Sequence, residues 1–424
     1  MILNITPSQI SGKIGVPGSK SHTIRGVICG LLAEGKSTLL YPLESDDTKA
    51  AMGAARALGG EVRQYSDHWE IFGCGGKFSK PASTVDMLNS GTSLRLFFSA
   101  AARRDFPVVF DGDSSLRSRK MATLIKTLET LGCRCTSVNG KCPVSVCGPL
   151  RSGRAEVDGE SSQFLSSLLF ALPFADGEFE LDLPFLNEKP YVGITLSWLD
   201  FLGIKYEVSD DWLHWKIKGN QKITPFTRAV PADFSTAAFP LAAGVLAGKK
   251  LQITNLDFSD CQGDKVVFDH FKAMGACLEY GDVLTIHGGK KLTPGVFDLN
   301  ATPDALPIMA VAAAFADGET RLVNAPQARI KETDRIAVMA RELTKMGVAV
   351  EELPDGLVIH GTGKVKGAAD LDSHGDHRIV MSLAVAALAA EGKSAIKDAE
   401  CAGVTYPGFF ETFKNLGADF TLSE

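Results

Sequence analysis

The 424-residue chain lacks any apolar run long enough to cross a bilayer. Its longest runs, such as Ala237 to Ala247, stop well short of the ~20 residues a membrane helix needs. It has no basic excess either. Against 50 acidic side chains stand 44 basic ones, a net charge of −6 that excludes a general nucleic-acid binder. An anionic ligand would have to be met by a local basic cluster. The nine cysteines are odd in number and scattered, and Cys133, Cys135, Cys142 and Cys147 do not fall at zinc-ligand spacings. Reduced, structural thiols in a cytosolic protein are expected. The eight histidines form no HExxH or other metal pattern, and His377 reads as an orienting residue, so no metal site is expected. Met1 to Lys13 has no basic stretch followed by an apolar one, so no signal peptide is expected. No linker or low-complexity segment interrupts the chain.

What is present is an ordinary packed composition, 45% hydrophobic and 22% charged, at a length that suits two or three domains. An apolar residue followed by glycine recurs at Leu58-Gly59, Leu131-Gly132, Leu202-Gly203, Met274-Gly275, Met346-Gly347 and Leu416-Gly417, every 70–73 residues. Each pair closes an amphipathic helix where a left-handed C-cap is wanted, and each is followed by a strand-like run such as Val348 to Glu351. A second series has the same period: Val27–Ala33, Leu94–Ala102, Phe164–Leu172, Thr236–Ala247, Ile308–Ala316 and Ile379–Ala390. These segments are apolar nearly all round, which predicts buried helices with the amphipathic ones outside. The chain therefore reads as six α/β units of about 71 residues that must cluster to close a core. The simplest grouping is two sets of three, with one domain over 14–229 and the other over 1–13 plus 230–424.

Each buried helix is preceded by a polar cluster. The clusters are Ser19-Lys20-Ser21 with Arg25, Asn89-Ser90-Gly91-Thr92 with Arg95, Ser161-Ser162-Gln163, Asp233-Phe234-Ser235, Pro303-Asp304, and Asp376-His377-Arg378. Taken singly, Ser, Asn and Asp there are N-caps. Recurring cations at helix starts are not explained by capping, because a cation is unfavourable at a helix N-terminus. Several such ends meeting at a cleft would make an anion site. The charged run Arg329 to Arg335 opens a further amphipathic helix, with Ile336 and Met339 facing inward and Lys331 and Glu332 at its start. A Lys–Glu pair there is suited to proton transfer. Gly30 to Ser37 matches a Walker A pattern, but its glycine lies in a helix and its lysine opens a strand, the reverse of a phosphate loop.

Pro17-Gly18-Ser19-Lys20-Ser21-His22-Thr23-Ile24-Arg25 resembles the opening motif of the 5-enolpyruvylshikimate-3-phosphate synthase family. So do Asn89 to Arg95, Ser161 to Phe164, Pro303-Asp304-Ala305, Lys331 to Arg335 and Asp376-His377-Arg378, in order from residue 17 to about residue 410. The resemblance implies an α/β (α+β) fold: a two-domain inside-out α/β barrel of six βαβαββ repeats, three to a domain around buried parallel helices, with the active site in the interdomain cleft. It implies transfer of the enolpyruvyl group of phosphoenolpyruvate to the 5-hydroxyl of shikimate 3-phosphate, with phosphate released and no metal or organic cofactor. By position, Lys20, Ser21, Arg25, Ser161, Ser162, Gln163, Tyr191, Asp304, Gln327 and Lys331 correspond to shikimate 3-phosphate ligands. Lys20, Gly91, Arg119, Gln163, Arg335 and Arg378 correspond to phosphoenolpyruvate ligands. Asp304, Glu332 and Lys20 correspond to the catalytic residues, Asp304 accepting the hydroxyl proton and Glu332 handling the proton at the methylene carbon. The partners expected are these two small molecules, without nucleic acid or membrane, for a cytoplasmic monomer.

The chain departs from the family pattern at several positions. Val404 stands where the family has a lysine, Glu188 where it has a serine at the acceptor's phosphate, Gln327 for an asparagine, and Lys120 and Leu96 each for a proline. Lys189 is the adjacent cation that could pair with Glu188, and Lys397 or Lys414 could replace the missing lysine. A sister transferase acting on UDP-N-acetylglucosamine is set aside, because its loop cysteine is missing from Asp113 to Met121. A paralogue with another hydroxylated acceptor and a non-catalytic binding paralogue are the alternatives. Retained Asp304, Glu332, Arg119 and Arg378 argue against the second.

Overall fold

The computed structural model describes residues 1–424. The chain forms two compact units, one of residues 18–231 and one of residues 1–17 with 232–424. Each crossing comes a few residues later than the boundaries expected from the repeats.

Six four-stranded sheets share one topology. In the sheet built on Asp317–Val323, that strand pairs parallel with Val296–Asp298 and antiparallel with Gly356–Thr362, which in turn pairs antiparallel with Ala349–Leu353. The other five repeat this order, but the repeats are not consecutive stretches of chain. The first sheet takes its parallel edge, Thr227–Ala229, from the end of its unit. The fourth takes Ile10–Ile14, and the sixth takes Ile2–Thr6 between Ser394–Lys397 and Asp419–Ser423. The N-terminal strands therefore complete the unit that the C-terminal half builds.

The six buried helices are Lys20–Leu32, Gly91–Ala101, Ser162–Leu169, Phe234–Leu246, Leu306–Ala314 and His377–Ala389. All nine residues of Leu306–Ala314 are buried, as an apolar helix inside a layer of sheets must be. Truncating Met309, which is fully buried, to alanine is expected to cost about 2–5 kcal/mol. His377–Ala389 packs on Phe234–Leu246 and Leu306–Ala314, and Gly91–Ala101 packs on Ser162–Leu169 through a buried Ser99–Ser167 hydroxyl pair at 2.8 Å. The outer helices end at the recurring glycine, whose φ lies between 72° and 106° at all six positions, a region costly for any residue with a Cβ. Gly30 lies within the first buried helix, where a Cβ would come within 2.9 Å of Ile71, and Lys36 lies in the strand Glu34–Leu40. No helix is long and apolar enough to cross a membrane. All nine cysteines are free, and burial pushes the thiols of Cys133 and Cys135 up to about 12, so neither is a ready nucleophile.

Candidate active site

The buried helices start earlier than their apolar runs do, so the polar clusters form first turns as well as caps. Ser19, Ser90, Ser161, Asp233 and Asp376 each accept a backbone N–H of their own helix. The sixth start differs: Pro303–Ala305 is a single 3₁₀ turn with no side-chain cap. Asp304 is therefore left to side-chain partners.

In the unit of residues 18–231, Lys20 pairs with Asp47 at 2.9 Å, both largely buried. Arg25 is 1% exposed and donates from Nε to Thr195 (2.9 Å), from Nη1 to the Ser21 carbonyl (3.1 Å) and from Nη2 to the Tyr191 carbonyl (3.0 Å). Arg25 thus ties its own helix to Lys189–Phe201, and Ser21 and Tyr191 meet it through backbone oxygens. Gln163 accepts from Arg95 Nη1 and donates to Thr92 Oγ1 at 3.1 Å. Arg119 donates to the Asn89 side chain, which donates to Asp113 at 2.7 Å. Gly91 lies under both guanidiniums: a Cβ there would sit 2.7 Å from Arg119 Nη1 and 2.9 Å from Arg95 Nη1. Glycine is what lets two cations approach this helix start. Lys120 pairs with Glu160 at 3.2 Å and Leu96 is fully buried.

Glu188 is 2% exposed and sits in a left-handed conformation, φ 54° and ψ 34°, just before Lys189–Phe201. Its carboxylate accepts from Ser162 Oγ at 2.9 Å and Ser162 N at 3.3 Å. A carboxylate of the chain itself thus lies at the start of Ser162–Leu169, where helix dipole and N–H groups favour an anion. Lys189 is directed elsewhere, to the Asp211 carbonyl at 3.4 Å and over the Trp212 ring at 4.6 Å.

In the other unit, Arg335 is 1% exposed and touches three carboxylates. Nε and Nη2 hold Asp376 at 2.7 and 3.2 Å, Nη1 holds Asp304 at 2.7 Å, and Nη2 holds Glu332 at 2.7 Å. Burial alone would lower the pKa of Arg335, but Asp376, Glu332 and Asp304 outweigh burial and hold it above the usual arginine value. Arg378 Nη2 lies 3.1 Å from the other Asp304 oxygen, its Nη1 donates to Ser235 at 2.6 Å, and Lys331 Nζ lies 3.7 Å from Asp304. Three cations face three carboxylates. A ligand anion at this place would compete for the same cations, and each one drawn away would free a lone pair on Asp304 or Glu332.

Gln327, on the turn Pro326–Ile330, is 2% exposed, and neither its amide oxygen nor its nitrogen has a protein partner. Two unpaired buried polar atoms fit a ligand position. Val404 ends the 3₁₀ turn Ala399–Val404 and brings no cation. Lys414 is bonded to Glu411 at 3.0 Å and Lys397 ends the strand Ser394–Lys397.

Sequence reasoning missed Asp47, Asn89 and Ser235 as partners of the cations, and saw in Asp376 only a cap. Asn89, Ser235 and Asp376 lie in the polar clusters and Asp47 in the outer helix Asp46–Ala57, but nothing in the spacing says which cation each meets.

The family described as EPSP synthase (3-phosphoshikimate 1-carboxyvinyltransferase) matches residues 5–413. The 3-phosphoshikimate 1-carboxyvinyltransferases of Acetivibrio thermocellus and Ruminiclostridium cellulolyticum are each 44% identical to the chain, over the full length of both sequences. An EPSP synthase from Acinetobacter baumannii superposes with a TM-score of 0.83 at 28% identity, over the whole of both chains. The enolpyruvyl transferase NikO from Streptomyces tendae, at 19% identity and a TM-score of 0.80 over 99% of this chain and 98% of its own, shares the fold.

Proposed function

The chain belongs to the EPSP synthase (3-phosphoshikimate 1-carboxyvinyltransferase) family, and from that premise we propose that it transfers the enolpyruvyl group of phosphoenolpyruvate to the 5-hydroxyl of shikimate 3-phosphate. The observation that carries the reading is the Asp304–Arg335–Glu332 arrangement, in which one buried guanidinium holds two candidate proton carriers at 2.7 Å each. Lys20, Ser21, Arg25, Ser161, Ser162, Gln163, Tyr191, Gln327 and Lys331 hold the acceptor. Lys20, Gly91, Arg119, Gln163, Arg335 and Arg378 hold phosphoenolpyruvate. Planar guanidinium forks suit its phosphate and carboxylate.

Asp304 takes the proton of the attacking hydroxyl as the C–O bond forms at the carbon bearing the phosphate. Glu332, protonated from solvent before the step, gives that proton to the methylene carbon, then takes one back as the C–O bond to phosphate breaks and the double bond returns. Lys20 supports the charge that builds up on the way. The protein works as a cytoplasmic monomer, without a metal or organic cofactor.

A second reading keeps the chemistry and changes the acceptor. It is favoured by the Glu188 carboxylate, which takes the Ser162 donors that a phosphate would use. Phosphate release from phosphoenolpyruvate, measured with shikimate 3-phosphate and with plain shikimate, separates the two. Release with shikimate 3-phosphate alone supports the first, release with plain shikimate alone supports the second, and release with neither refutes both acceptors.

A further inference from the structure

The strap that joins Leu371–Asp372 to His377–Ala389 carries Asp376 and leads into Arg378. It is irregular: His374 and Gly375 both have positive φ, 51° and 70°. On one side Ser373 secures it, donating from Oγ to the Asp398 carbonyl at 3.1 Å and from N to the Lys397 carbonyl at 3.3 Å. On the other side lies Glu342, fully buried on the helix Arg335–Lys345. Its Oε2 accepts the Asp372 N–H at 3.0 Å, and its Oε1 faces His374 Nε2 at 3.3 Å. Lys345 completes the site, donating to Glu342 at 2.9 Å and to the Asp370 carbonyl at 2.8 Å.

Glu342 lies seven residues after Arg335, two turns along the same helix face. One helix thus grips one strap twice: Glu342 holds Asp372 and His374, and Arg335 holds Asp376. A fully buried carboxylate is kept only where donors satisfy it, and here two of its donors belong to the strap. The position of Asp376 decides where Arg335 points its remaining edge, toward Asp304 and Glu332. The backbone of Arg378 is tied to the same carboxylate, its N–H donating to Asp376 Oδ1 at 2.8 Å.

We propose that Glu342 is a positioning residue: through the strap it sets Arg335 and Arg378 for the phosphorylated carboxylate that they bind. The proposal rests on the reading that these two arginines hold phosphoenolpyruvate. Glu342→Gln keeps the shape, removes the charge, and leaves one amide oxygen to accept where two carboxylate oxygens face Asp372 N–H, Lys345 and His374. Because a displacement of about 1 Å at a binding group can cost up to ~10²-fold, the phosphoenolpyruvate KM is expected to rise about tenfold or more. The shikimate 3-phosphate KM should rise by a clearly smaller factor, since Glu342 reaches the acceptor's positions only through Asp304, which both arginines hold. Glu342→Asp keeps the charge and should recover part of the loss. His374→Ala leaves the buried carboxylate intact, removes one strap donor, and should move the same KM by a smaller factor.

Steady-state kinetics on folded variants, checked by thermal melting, decides the matter. Equal rises in both KM values, a melting-point loss with neither KM changed, or an unchanged KM in both Glu342→Gln and His374→Ala would each overturn the proposal. Failure of the underlying reading looks different: the wild-type protein itself would release no phosphate from phosphoenolpyruvate with shikimate 3-phosphate.

Discussion

Replacing Glu188 with serine should make the protein bind shikimate 3-phosphate more tightly and fold less stably. The buried Glu188 carboxylate holds Ser162 Oγ at 2.9 Å and Ser162 N at 3.3 Å. A phosphate arriving at the same helix start must displace it or sit beside it. At about 4 Å and an effective dielectric near 20, each like-charge pair costs roughly 4 kcal/mol, so coexistence is the dearer alternative. Displacement forfeits at least one charge-assisted hydrogen bond, worth about 1.5–3 kcal/mol. Taking the lower value, Glu188→Ser should lower the dissociation constant for shikimate 3-phosphate by about tenfold or more, at 1.4 kcal/mol per decade. The same change removes the outside acceptor from the start of Ser162–Leu169, a loss of about 1 kcal/mol by analogy with cap deletions. Calorimetric titration gives the first quantity and denaturant unfolding the second, with Glu188→Gln as a control that keeps the size and drops the charge. Unchanged affinity in both variants would show that the acceptor's phosphate does not use the Ser162 donors, and the reasoning would fail at that step.

Asp304→Asn and Glu332→Gln should each lower kcat by ~10²–10⁴ while leaving binding largely intact, and near-full turnover in either would remove its assigned role. Asp304→Asn also leaves the cluster one positive charge in excess, so it should bind inorganic phosphate more tightly than wild type in the same titration. Gln327→Leu removes two buried polar atoms without partners, each costing about 1–3 kcal/mol, so the free protein should become no less stable while the KM for shikimate 3-phosphate rises. A destabilised variant with an unchanged KM would contradict the assignment of Gln327. Val404→Lys offers a charge-assisted hydrogen bond of about 1.5–3 kcal/mol and should lower the phosphoenolpyruvate KM by roughly 10–150-fold. No decrease would mean that another cation already fills that place.

What could be read from the sequence was what depends on local geometry. Gly59, Gly132, Gly203, Gly275, Gly347 and Gly417 announce a left-handed residue after a helix, and the apolar runs announce helices buried on all sides, so the six-unit count follows from the chain alone. Strand exchange could not be read. Nothing in Ile2–Thr6 or Ile10–Ile14 says that one enters the interior of the sixth sheet and the other the edge of the fourth, because pairing across the chain is fixed by which sheet lacks a strand. The partners of the cations were hidden for a related reason. Lys20 meets Asp47, Arg335 meets Asp376, and Arg378 meets Ser235, and these separations reflect helix packing, not any local pattern. The sequence did pose the question these contacts answer, since cations at helix starts are unfavourable by themselves. The protein answers it with its own carboxylates: Asp47 for Lys20, and Asp304, Glu332 and Asp376 for Arg335. The residues that balance the cations therefore include the two that carry protons in the proposed reaction. In that reaction an anionic substrate that takes over the cations would release those carboxylates in the same step, so binding and activation would be one exchange of partners.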